Sequence, residues 1–233
     1  MDFLPEIIQF ASKEVMAARL ADVIEAELSR HDRSSIALSG GSTPALLYEV
    51  LSQRPCRWSS VTGLLVDERL VPPTDNGSNE AFINRTLRQQ EAVKMSLYGM
   101  WQPGASAERL AQMLNHEIPG LALPLDVVIL GMGNDGHTAS WFPYANGLDE
   151  ALSDNAPDVV AIKAQASAVT GNYLDRLTLS LRKVREARRI FLLISGEEKM
   201  NTFKSALLEE PVEAMPVRAI LRARPDLWVC WSP

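Results

Sequence analysis

Cysteine is scarce: the 233-residue chain holds two, Cys56 and Cys230, far apart and in no CxxC or Cys/His spacing. That excludes a disulfide framework and argues against a structural zinc. Histidine is nearly as rare, at three residues, so few groups can do acid-base work near neutral pH. No apolar run reaches about 18 residues, which removes a membrane span. The segment MDFLPEIIQFASKEV has neither the cationic start nor the apolar stretch of a signal peptide, so the expected location is cytoplasmic. Basic residues are outnumbered: 23 Lys and Arg face 29 Asp and Glu, for a formal net charge of -6. A general binder of nucleic acid or anionic membrane would carry the opposite balance.

What is present is a soluble globular composition, 46% hydrophobic and 22% charged, with no internal repeat and no linker-like tract. One domain over 1–233 follows. Residues from about 5 to 29 read as an amphipathic helix, with Ala17, Leu20, Ala21, Ile24 and Leu28 at helical spacing. Short apolar strands follow at 35–39, 63–66, 125–130, 159–162 and 190–194, an alternating one at 176–181 and a last at 226–231. Helices are expected after Thr43 as cap and Pro44 as first residue, after Ser78, after Ser106, and from Glu197 to about Leu208. Strands alternating with helices predict an α/β layered structure with a mostly parallel sheet flanked by helices.

Ligands of such sheets bind beyond the carboxyl ends of the strands, and four unusual segments fall there. Gly40-Gly41-Ser42-Thr43 lies between a strand and a helix, where backbone N–H groups, the helix N-terminus and two hydroxyls suit a phosphate. It is neither a Walker loop nor a dinucleotide fingerprint. Gly131-Met-Gly-Asn-Asp135-Gly-His137 contains a superficial GxGxxG, but it is mid-chain and ends in an acid and an imidazole two apart. A carboxylate that orients a histidine able to take a proton is the chemistry this suggests. Asp67-Glu68-Arg69 closes a strand; Arg69 would meet an anionic substrate and Asp67 would orient water or a sugar ring. Lys199 lies in the first turn of its helix, where a cation opposes the macrodipole and a bound anion would compensate. Arg176, on the polar face of the alternating strand, could reach the same anion. The basic cluster Arg182, Lys183, Arg185, Arg188 and Arg189 reads as a solvated surface, and the five tryptophans as core or rim residues.

Ala37-Leu-Ser-Gly-Gly-Ser-Thr-Pro44, Val66-Asp-Glu-Arg69 with Ser78-Asn79, Leu130-Gly-Met-Gly-Asn-Asp-Gly-His-Thr-Ala-Ser140, Arg176-Leu-Thr-Leu-Ser180 and Ser195-Gly-Glu-Glu-Lys199 occur in the order found in 6-phosphogluconolactonases. The chain resembles that family over nearly its whole length. The resemblance implies a modified Rossmann-like fold shared with glucosamine-6-phosphate deaminase and ribose-5-phosphate isomerase. It also implies hydrolysis of 6-phospho-D-glucono-1,5-lactone in the oxidative pentose phosphate pathway. It would make His137 the general base, with Asp135 and Asp67 supporting and orienting the site, and Gly41, Ser42, Thr43, Arg176 and Lys199 the phosphate ligands beside Gly40, with Arg69 near the sugar-acid end. No cofactor and no metal ion follow, nor any partner beyond the small sugar-phosphate lactone; a monomer or small homo-oligomer is expected. Two alternatives are a glucosamine-6-phosphate deaminase or sugar-phosphate isomerase, and a non-catalytic sugar-phosphate sensor. Deaminases resembling this chain have a glutamate five residues after the loop histidine, where this sequence has Phe142. The approach to Arg176, Val169-Thr-Gly-Asn-Tyr-Leu-Asp175, lacks a proline that family members often carry.

Overall fold

A computed structural model describes residues 5–117 and 124–233. The continuous apolar runs become strands covered on both faces. They are β1 (Ile7–Gln9), β2 (Ser34–Leu38), β3 (Val61–Leu65), β5 (Ser96–Tyr98), β6 (Val127–Gly131), β9 (Arg189–Ser195) and β10 (Trp228–Ser232). All pair in parallel, in the order β1-β10-β9-β6-β2-β3-β5. Around the sheet pack α1 (Lys13–Leu28), α2 (Ala45–Ser52), α3 (Asn79–Thr86), α4 (Ala107–Glu117), α5 (Leu148–Leu152), α6 (Leu181–Arg185), α7 (Glu197–Ala206) and α8 (Val217–Ala223). Every residue of β2 is buried, as are the middle five of β9. Each fully buried Leu, Ile or Phe in those strands contributes about 1.5–3 kcal/mol.

The strand order reverses between β2 and β6. From β2 the chain builds outward through β3 and β5, then crosses back to lay β6, β9 and β10 on the other side. Loops leaving β2 and β6 therefore diverge and open a crevice at their carboxyl ends.

A second, smaller sheet stands beside that crevice. Val66 bridges the two sheets, donating to Leu38 O (2.9 Å) and accepting from Leu179 N (2.8 Å). The chain then enters β4 (Asp67–Arg69), which pairs antiparallel with β8 (Asp175–Leu179); β8 pairs in turn with β7 (Val159–Lys163). Antiparallel pairing was not expected from the sequence, because a three-residue strand has no period to read. Asp67-Glu68-Arg69 is thus a strand of its own rather than the end of β3.

Three further expectations are corrected. The first helix starts at Lys13, capped by Ser12, whose Oγ accepts from Val15 N (3.3 Å); Ile7–Gln9 belongs to the sheet edge, where it pairs with β10. Thr43 does not cap α2. Pro44 holds the cap position, without a side-chain hydrogen bond, which leaves the Thr43 hydroxyl to the crevice. Lys183, read as solvated, is fully buried: its Nζ lies 3.6 Å from Asp158 Oδ2, and Arg182 pairs with the same carboxylate. On the same short helix Arg182 and Arg185 keep part of their side chains in solvent, and Lys183 takes the inner face.

Candidate active site

A cleft of ≈ 170 Å³ lies at the switch between β2 and β6, and the loops after β2, β3, β6 and β9 converge on it. Gly40, Gly41, Ser42, Thr43, Asp67, Arg69, His137, Arg176 and Lys199 all line it. Asp135 stands behind His137. Every site residue expected from the sequence is therefore brought together, although the chain separates the first from the last by 159 positions, from Gly40 to Lys199.

The loop after β2 forms one wall. Gly41 has φ +102°, a left-handed conformation that favours glycine. Among the described residues, no backbone N–H of Gly40, Gly41, Ser42 or Thr43 donates to another protein group. The first backbone bond of α2 runs from Tyr48 N to Pro44 O (3.0 Å). A row of free amides at a helix N-terminus attracts an anion. The floor is braced from below by Tyr48, whose hydroxyl donates to Ser39 O (2.9 Å) and whose phenol burial pushes upward in pKa.

The loop after β6 forms the facing wall. Its turn is closed by Gly133 N donating to His137 O (2.9 Å) and Gly136 N donating to Gly133 O (3.0 Å). His137 Nδ1 lies 2.6 Å from Asp135 Oδ1, which also accepts from His137 N (3.1 Å). Burial raises the Asp135 carboxyl, but the hydrogen bond and charge of His137 outweigh it and hold the group below its ordinary value. A carboxylate can only accept, so Nδ1 donates to it, and in the neutral imidazole Nε2 then carries the lone pair.

β4 and β8 carry the cations and the second carboxylate. Arg69 and Arg176 are direct partners in the antiparallel ladder, a like-charge juxtaposition that is unfavourable by itself and that an anion between them would relieve. Burial pushes the Arg176 guanidinium down to about 10, Asp67 pulling it back up and Arg69 pushing it further down; it remains charged at neutral pH. Lys199, in the first turn of α7, is lowered by burial against the opposing pull of Glu198. Asp67 is buried and engaged: Oδ2 accepts from Ser140 Oγ (2.7 Å) and Oδ1 from Asn79 Nδ2 (3.2 Å).

Several contributors were not read from the sequence. Phe142 lies between the two halves of the site, its ring centroid 4.4 Å from that of His137 and 5.2 Å from Arg176 Cζ. Asn79 lines the cleft and holds Asp67. Glu68, left without a role, ties β4 to α3: its carboxylate accepts from Arg69 N (2.8 Å), Asn79 N (2.7 Å), Glu80 N (2.8 Å) and Ser78 Oγ (3.0 Å). Burial raises its pKa against those four donors. Asn79 stood in the Ser78-Asn79 motif, which gave it no role by itself. Phe142 offered only its spacing from His137.

A family model described as glucosamine-6-phosphate isomerases/6-phosphogluconolactonase matches residues 10–231. A protein of Pseudomonas aeruginosa named 6-phosphogluconolactonase is 38% identical over 94% of this chain and 89% of its own length. One of Rhizobium meliloti with the same name is 36% identical over 96% of this chain and 97% of its own. The crystal structure of a 6-phosphogluconolactonase from Shewanella baltica superimposes with a TM-score of 0.92 at 34% identity, each chain covered in full.

Proposed function

The chain belongs to the glucosamine-6-phosphate isomerase/6-phosphogluconolactonase family, and on that premise we propose that it hydrolyses 6-phospho-D-glucono-1,5-lactone to 6-phospho-D-gluconate in the oxidative pentose phosphate pathway. One observation carries the reading: His137, with Nδ1 on Asp135, and the segment Gly40–Thr43, whose amides have no protein partner among the described residues, line the same cleft. A base and an anion cradle on opposite walls suit a substrate with a phosphate at one end and an electrophilic carbonyl at the other.

His137 Nε2 takes a proton from a water that attacks the lactone carbonyl. The tetrahedral oxyanion then collapses, the bond from the carbonyl carbon to the ring oxygen breaks, and the imidazolium returns its proton to that oxygen. Asp135 keeps the ring in the required tautomer and stabilises the imidazolium that forms transiently. A positioned general base is worth roughly 10²–10⁴ in rate, and the strained ester needs little more. The amides and hydroxyls of Gly41, Ser42 and Thr43, beside Gly40, hold the phosphate with Arg176 and Lys199. Arg69 lies toward the sugar-acid end and Asp67, fixed by Ser140 and Asn79, orients the ring. No side chain here requires a metal ion or cofactor for this chemistry.

Residues 1–233 work as one domain, in the cytoplasm, as a monomer or small homo-oligomer, without nucleic acid or membrane as partner. Among the described residues no helix is long and apolar enough to cross a membrane. A deaminase or isomerase would need an acid or base where Phe142 presents an apolar ring to His137. A mere sensor would have no use for the Asp135/His137 pair. The test is lactone disappearance, measured beside glucosamine-6-phosphate deamination. Acceleration only in the first is expected, with His137→Ala losing roughly 10²–10⁴ in kcat while still binding 6-phosphogluconate. Activity only in the second assay overturns the reading.

A further inference from the structure

We propose that Tyr173 is a positioning residue that sets both cleft arginines through a clasp between two loops. Each arginine already uses part of its guanidinium on a loop carbonyl. Arg69 Nη1 donates to Gly77 O, in the loop between β4 and α3. Arg176 Nε donates to Tyr173 O (2.6 Å) and Nη2 to Thr170 O (3.5 Å), both in the loop between β7 and β8. The direction in which each fork presents its remaining N–H groups therefore depends on where these two loops stand.

Beyond the backbone bond from Leu70 N to Asp175 O (3.0 Å) at their base, Tyr173 fastens the two loops to one another. Tyr173 Oη donates to Asp75 Oδ1 (3.0 Å), and the same oxygen accepts from Gly77 N (2.7 Å). The Tyr173 ring lies flush on Gly77: a methyl group there would fall within 2.8 Å of ring atom Cε1. Otherwise the 165–173 loop is bonded chiefly to itself. Thr170 Oγ1 donates to Gln165 O (2.8 Å) and accepts from Ser167 N (2.9 Å), and Gly171 N donates to Ser167 O (3.0 Å). Its apex puts Val169 into the cleft lining while leaving it 43% exposed. Without the tyrosine hydroxyl, the β4–β8 ladder still holds the two arginine backbones opposite each other, but the 165–173 loop loses its bond to Asp75 and with it the placement of the Tyr173 and Thr170 carbonyls that aim the Arg176 fork.

Tyr173 does not line the cleft, so its effect passes through the two arginines and falls on anion affinity rather than on the proton transfer at His137. The substrate in the test rests on the lactonase reading; the phosphate titration does not. Tyr173→Phe keeps the ring against Gly77 and removes only the hydroxyl. Its KM for the phosphorylated lactone should rise about five-fold with kcat within about two-fold, the size of one lost hydrogen bond. Inorganic phosphate, titrated calorimetrically without turnover, should bind more weakly by the same factor. Asp75→Asn, which retains the acceptor oxygen, should stay near wild type, and Tyr173→Phe should add nothing to Asp75→Ala. A correctly melting Tyr173→Phe with unchanged KM and phosphate affinity overturns the proposal, as does a loss confined to kcat. If the wild type binds phosphate but turns over no lactone, the activity is misassigned, while the phosphate comparison still decides the clasp.

Discussion

Gly133→Ala isolates the catalytic pair from the rest of the cleft. Gly133 is not among the residues with positive φ, so alanine is acceptable to its own backbone. The conflict is with its neighbours: an added Cβ would stand 2.7 Å from Asp135 Oδ1, and closer still to Nδ1 and Cε1 of His137. Ordinary contact begins at 3.4 Å, so the carboxylate must retreat by the difference, 0.7 Å, and the imidazole by more. Misplacing a reacting group by about 1 Å lowers rate about 10²-fold, equivalent to ~2.7 kcal/mol in the barrier. The anion wall is built by other loops, so the affinity for 6-phosphogluconate should change little. Strain should lower stability by about 1–3 kcal/mol, toward the lower end because His137 is partly exposed and can swing outward. Steady-state kcat, corrected for spontaneous lactone hydrolysis, gives the first number, product titration the second and thermal melting the third. A folded Gly133→Ala with wild-type kcat would show that the Asp135/His137 pair does not perform the proton transfer.

Three other outcomes follow from the same geometry. Lys199→Ala should weaken product binding and raise KM roughly 10–100-fold, the worth of a charge-assisted hydrogen bond to phosphate; an unchanged KM would remove Lys199 from the phosphate site. At the buried Asp158 cluster, Asp158→Ala should destabilise by about 3–5 kcal/mol because it strands Lys183, whereas Lys183→Met leaves Asp158 paired with Arg182 and should be much milder. Equal denaturation losses in the two variants would contradict that asymmetry. Asp135 has a folded pKa below its unfolded one, so its stabilising contribution is complete above the unfolded value and disappears as pH falls through the folded value. The stability gap between wild type and Asp135→Asn should therefore close below about pH 4, and a gap that widens on acidification would refute the assignment.

Legibility from the sequence tracked the length of the signal. β6 and β9 are short continuous apolar runs, and their burial on both faces was readable from that brevity and from the helices alternating with them. β1 and β4 each have three residues, too few for any periodicity to emerge. The glycine loops and the Asp135/His137 pair were legible because they are contiguous motifs at strand ends. Asn79 and Phe142 were not, since their contacts to Asp67 and to His137 with Arg176 exist only after loops from different strands meet.

The scarcity of cysteine and histidine, the acidic balance and the ordered motifs led from sequence alone to an α/β chain, and to the expectation of one histidine placed to act and of an anion held by local groups. Net charge is a sum over residues, and a motif is a property of neighbours; both survive without a fold. Tertiary structure alone decided that Ser140 and Asn79 hold Asp67, that Arg69 and Arg176 stand opposite each other, and that Lys183 is interior. Those are facts of strand register and layer packing. They arise from hydrogen-bond pairing and burial between segments far apart in the chain, which no local pattern of residues encodes.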